Sequence, residues 1–290
     1  MNFFMNMCQD YTVQIVLMGS LIVGITAGIL GCFAFLRKQS LLADAISHAC
    51  LPGIMIMFLI TQHKSPYVLL FGGSLAAILG ALCVSAITSM TIVKKDAALG
   101  IILSVFFGFG LVLLTLIQKN HLAHQSVLNK FLFGNASTLL PDDIICMALV
   151  SVIVLVSVVL FWKEFKLLSF DPDYAVSLGY SVHKLDVLLT LLLVLSMVIG
   201  LQTVGVVLMS TLFVAPAAAA RQWTSRLSSM IFLAAFFGAC SALCGAYISS
   251  AFDHVPTGPS IVVVMSIIVF ISLIIAPQRG IVWCYYAKRR

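Results

Sequence analysis

An aspartate and a histidine four residues apart, Asp44 and His48, stand in the stretch 36–60, LRKQSLLADAISHACLPGIMIMFLI, which opens on a basic pair and closes on an apolar run. Residues at i and i+4 share one face of a helix, so the carboxylate and the imidazole fall on a common stripe. If Arg37 and Lys38 mark a membrane surface, a rise of about 1.5 Å per residue puts Asp44 about 9 Å and His48 about 15 Å deep. The second depth is the middle of a hydrocarbon core roughly 30 Å thick. Ionisable groups there are costly and point to a pathway or a binding site.

One hard oxygen and one borderline nitrogen suit divalent manganese, iron or zinc. The pair lacks the HExxH arrangement of a zinc protease. The competing reading is structural: the two side chains hydrogen-bond each other or a neighbouring helix. Pro52 has no N–H to give the carbonyl four residues back, which belongs to His48, so that oxygen is available to water or a cation. Ala45, Ala49 and Gly53 lie on an adjacent face that can sit tightly against a neighbour.

The elements that position this pair are membrane spans. Of the 290 residues 62% are hydrophobic and 9% charged, with a mean hydropathy of +1.15, against about 25% charged in a soluble domain. The net charge of +6 is scattered in short groups between apolar runs, which reads as topology signal rather than a nucleic-acid surface. The N-terminus lacks a basic n-region and its first apolar run is longer than a cleavable one, so no signal peptide is expected to be removed.

Runs of spanning length fall near 12–36, 40–60, 66–90, 97–118, 144–162, 227–251 and 260–276. A further block, 187–220, can break at Gly200, Gly205 or Pro216. If it crosses twice, all Lys and Arg except Lys64, Lys119 and Lys130 fall on one side, as the positive-inside rule requires. This reading gives an all-α polytopic bundle of about nine transmembrane helices, eight as the alternative, in one domain over 1–290. The N-terminus is outside and the C-terminus cytoplasmic.

Eight cysteines without a CxxC pair read as buried free thiols. On the outer side His63, His121, His124 and His254 join Asp10, Asp142, Asp143 and Asp253, as a cation funnel or as ordinary loop polarity. The inner connection 163–186 contains FDPDYAVSLGYS. Asp171 as N-cap, Pro172 at the first helical position and Gly179 in the left-handed residue bound a short helix over 172–178. It is either a docking element for a cytoplasmic partner or a connector. No GxxxxGK[ST] occurs, so any ATP hydrolysis would take place on a separate subunit.

The segments GILGCFAFLRKQSLLADAISHACLPG, DAALGIILSVFFGFG, FLFGN, FDPDYAVSLG, QTVGVVL, APAAAA and DHVPTGPS resemble, in that order, the manganese, zinc and iron type of ABC-importer permease. The resemblance implies a bacterial cytoplasmic-membrane subunit that pairs with a like permease, identical or not, two cytoplasmic ATPases and an extracytoplasmic metal-binding protein. The metal would be cargo, with no permanent cofactor. Asp44 and His48 would coordinate it, and the segment holding Asp171, Pro172, Asp173, Ala175 and Gly179 would be the coupling helix in the ATPase cleft. Gln202, Gly205 and Pro216 match family positions in the broken pair of spans, where with Pro52 they are candidates for pathway or gating roles. A permease for a chelated metal or vitamin, a secondary transporter and an intramembrane hydrolase are the rival readings.

Overall fold

The computed structural model describes residues 11–62, 66–119, 134, 139–201, 203–252, 255–277 and 280. The described chain is all helical: α1 Tyr11–Leu36, α2 Ser40–Thr61, α3 Pro66–Met90, α4 Lys95–Lys119, α5 Pro141–Leu160, α6 Trp162–Phe170, α7 Pro172–Ser177, α8 Val182–Gly200, α9 Val206–Trp223, α10 Leu227–Ala251 and α11 Thr257–Ile275. Eight of these, all but α6, α7 and α9, are long and apolar enough to cross a bilayer. The block 187–220 is broken as its glycines suggested: α8 ends at Gly200 and α9 restarts after Gly205, whose φ is +86°. The second limb, α9, is an 18-residue helix outside that set of eight.

The α1 and α2 windows are each 67% buried, whereas that of α4 is 22% buried, so the first two helices form the centre and α4 lies at the periphery. Small residues set the closest crossings. A Cβ added to Gly24 of α1 would lie 2.5 Å from the Gly238 carbonyl oxygen of α10, and one on Gly28 would lie 2.5 Å from that of Ala234. In lipid, where burial gives little drive, such close backbone approach is what holds helices together.

The α1–α2 corner is a Schellman turn: Gln39 N–H donates to the Ala34 carbonyl at 2.9 Å and Lys38 N–H to that of Phe35 at 3.0 Å. Its left-handed position is filled by Lys38, φ +55°, where glycine is usual. Phe33 at the end of α1 meets Trp162 and Phe165 edge-on, with centroids 6.4 and 5.8 Å apart. These contacts anchor α6, and behind it α7.

One expectation, that the cysteines are buried, is corrected. Arg37, used above as a surface marker, is an ion-pair partner of Asp186, with its side chain 11% exposed. Asp186 belongs to α8, a helix of spanning length. Among the cysteines, Cys32 and Cys50 are buried, but Cys83, Cys146 and Cys244 are exposed on helix faces, which in a membrane bundle face lipid or another subunit.

Candidate metal site

Asp44 and His48 sit in the first half of α2, with His48 Nε2 3.4 Å from Asp44 Oδ1. That spacing is ion-pair reach but longer than a settled N–H···O bond of about 2.7–3.2 Å, so the two side chains do not satisfy each other fully. His48 Nδ1 is buried and has no hydrogen-bond partner among the described residues. Buried polar atoms normally have one. The Asp44 side chain keeps a third of its surface exposed, 33%, against 12% for His48, so the oxygen is the more accessible donor. Ser210 of α9 lies beside the Asp44 carboxylate.

Three helices hold the pair in place. The Ala45, Ala49, Gly53 face meets α3: a Cβ on Gly80 would touch that of Ala49 at 3.0 Å, and Gly53 abuts Gly72 directly. On another side, Phe107 of α4 lies edge-on to the His48 ring with centroids 4.6 Å apart. Gly110, nearly one turn further, lets α4 reach the Pro52 ring, where an added Cβ would come within 3.2 Å of Cδ. Pro52 stands inside a continuous α2, leaving the His48 carbonyl without its usual donor. The buried Cys50 thiol donates to the Ile46 carbonyl at 3.4 Å.

Neither Phe107 nor Ser210 stood out in the sequence. Phe107 lies in the run FFGFG, where a small residue signals a helix contact without saying which aromatic faces the histidine. Among the described residues no three of His, Cys, Asp and Glu come together. The site therefore offers two side chains, with the His48 carbonyl and the Ser210 hydroxyl as further oxygens nearby.

The short helix has its expected caps. Asp171 Oδ1 accepts from Tyr174 N–H at 2.9 Å, Pro172 opens the helix and Leu178 caps it, and Gly179 has φ +85°. Ala175 is fully buried and faces the body of the chain, whereas Tyr174, Val176 and Leu178 are exposed beside Asp171, Pro172 and Asp173. An outside partner would meet these residues, with Ala175 serving as the anchor.

Gly205 opens α9 and Pro216 lies within it, buried. Near the break, Thr257 of α11 donates to the Thr203 carbonyl at 3.3 Å, and a Cβ on Gly134 would fall 2.5 Å from that same oxygen. Gln202 and the histidines 63, 121, 124 and 254 lie outside the described residues, as do Asp10 and Asp253. Asp143 caps its own helix, accepting from Leu140 N–H at 3.0 Å.

Eight helices of spanning length among the described residues, with a carboxylate and an imidazole on one of them, define a multi-pass membrane protein. The ABC 3 transport family profile matches residues 9–276. Over its whole length the chain is 43% identical to the zinc transport system membrane protein TroC of Treponema pallidum, covering 97% of it. Over 94% of its length it is 44% identical to the manganese transport system membrane protein MntC of Bacillus subtilis, covering 63% of that longer protein. The solved structure of PsaBC from Streptococcus pneumoniae in complex with Fab superposes with a TM-score of 0.85 at 33% identity, covering 100% of this chain and 99% of that one. The chain belongs to the ABC 3 transport family and is a membrane subunit rather than an ATPase.

Proposed function

We propose that this chain is the permease subunit of an ABC importer for divalent transition-metal ions, manganese or zinc, taken up as cargo at Asp44 and His48. The observation that carries the reading is the Asp44–His48 pair itself: an oxygen and a nitrogen donor loosely spaced, partly accessible and enclosed by α3, α4 and α9. Manganese and zinc are the metals named for the relatives TroC and MntC, and both accept an N,O donor set. Two side chains hold an ion weakly, which suits a path in which the ion has to leave as well as enter. Water, the His48 carbonyl and the Ser210 hydroxyl would complete its coordination.

Energy enters from cytoplasmic ATPase subunits. The exposed face of α7 is the surface offered to them, and its closure would alternate access to the site between the two sides. The end bearing Arg37, Lys95 and Asp186 is then cytoplasmic, with the N-terminus outside, in the bacterial cytoplasmic membrane. A second permease copy or homologue and an extracytoplasmic metal-binding protein complete the assembly.

The test is uptake of manganese and zinc into proteoliposomes by the complex reconstituted with its ATPase. ATP-dependent, vanadate-sensitive accumulation of either ion supports the reading; ATP-independent, proton-driven accumulation overturns it in favour of a secondary transporter.

A further inference from the structure

Beyond the site lies a partly buried charge cluster whose members are far apart in sequence. Arg37 of the α1–α2 corner donates to Asp186 Oδ1, and Lys95 Nζ, at the first residue of α4, lies 3.7 Å from Asp186 Oδ2. Gln39 completes it: with its amide oxygen turned to the cations it accepts from Lys95 Nζ at 2.6 Å and from Arg37 at 3.2 Å. One carboxylate on α8 therefore receives a cation from each of two different segments.

Those segments are the ones that build the metal site. Gln39 immediately precedes α2, which carries Asp44 and His48, and Lys95 begins α4, which carries Phe107 and Gly110. Asp186 sits in the first turns of α8, the next helix after α7. Between the α1–α2 corner and the α6–α7 junction there is a cleft of 480 Å³, with Arg37, Lys38 and Gln39 on one side and Ser169 and Pro172 on the other. The corner therefore does not rest flat against the start of α7, and the charged contact ties it to α8, the helix that follows α7, beside the Phe33 packing on α6. Arg37 and Lys95 share the one Asp186 carboxylate, so loss of its charge releases both cations together.

We propose that Asp186 is the hub that carries movement of α7 into both walls of the Asp44–His48 site, a positioning residue for transport rather than a metal ligand. This rests on the reading of α7 as the ATPase-facing helix.

The experiment uses the complex with its ATPase in proteoliposomes, with manganese and zinc as the probes. Asp186→Asn should lower uptake at least tenfold while basal ATP hydrolysis persists and metal affinity stays within threefold of native; Asp186→Glu should keep uptake within threefold. Native-level uptake by Asp186→Asn overturns the proposal, as does a loss of affinity that parallels the loss of uptake and is not rescued by Glu. Should Asp186→Asn fail to assemble, Lys95→Met cuts only the α4 arm: a threefold or greater loss of uptake supports the hub, and normal uptake refutes it.

A second readout is independent of the cargo. A thiol at Ser210→Cys, with exposed Cys83, Cys146 and Cys244 replaced by serine, should change its maleimide labelling rate on addition of ATP and vanadate. In the Asp186→Asn background the rate should no longer respond. A response that persists there overturns the hub. A response present in the native complex and abolished by Asp186→Asn, where the native complex itself takes up neither metal, supports the hub and rejects the importer reading alone.

Discussion

His48 presents its Nε2 to Asp44 Oδ1 at 3.4 Å while its Nδ1 is buried and unpaired among the described residues. The pair is close enough to share a cation and too loose to satisfy itself. That geometry, between a structural contact and a permanent metal centre, suits the transport role proposed for the pair.

The edge-on ring of Phe107 fixes the plane of His48. Aromatic contacts of this kind contribute about 0.5–1.5 kcal/mol. Phe107→Ala should therefore weaken metal affinity about two- to tenfold, with assembly intact, as read by equilibrium metal binding to the purified complex. Unchanged affinity would show that α4 does not position the imidazole.

Asp171→Ala removes the side chain that accepts from Tyr174 N–H. Loss of such a cap costs about 1 kcal/mol, concentrated on a helix of 6 residues. Uptake and metal-stimulated ATP hydrolysis should fall together, and Asp171→Ser, which restores an acceptor, should recover both. Equal loss in the Ala and Ser variants would mean that the carboxylate contacts the partner directly.

Lys38 occupies a left-handed position with φ +55°. Lys38→Gly should stabilise the fold by about 1 kcal/mol by relieving the side-chain clash, seen as a higher thermal midpoint of the detergent-solubilised chain. Lys38→Val should lower that midpoint. A lower midpoint for the glycine variant would contradict the corner geometry.

Gly24→Val inserts a branched side chain where a Cβ alone would lie 2.5 Å from the Gly238 carbonyl oxygen. Overpacking costs about 1–3 kcal/mol, and the thermal midpoint should drop accordingly. A midpoint equal to the native one would mean that α1 and α10 do not cross at Gly24 and Gly238.

What was legible in the sequence is what local chemistry dictates. Apolar runs of about 20 residues have to be helices in a bilayer, the stripe of Asp44 and His48 follows from the helical repeat, and α7 is bounded by Asp171, Pro172 and Gly179. The small face of Ala45, Ala49 and Gly53 was visible for the same reason, and it packs on α3 as small residues allow. Long-range pairings were not legible. Arg37 and Asp186 are 149 positions apart, and a lone Arg at the end of an apolar run looks the same whether it is solvated or ion-paired. Asp186 looked like the end of a loop because the apolar block begins only at Val187, whereas the helix starts at Val182. Phe107 over His48 is likewise a product of how α4 leans on α2 at Gly110 and Pro52. The inward turn of Ala175 depends on packing that its caps do not record.

The central claim is that Asp44 and His48 hold the transported ion, and equilibrium binding of manganese and zinc to the purified complex tests it most directly. Native complex should bind one of these ions at the pair, and Asp44→Asn and His48→Ala should each weaken binding at least tenfold while still assembling with the ATPase. Native affinity in both variants would contradict the account.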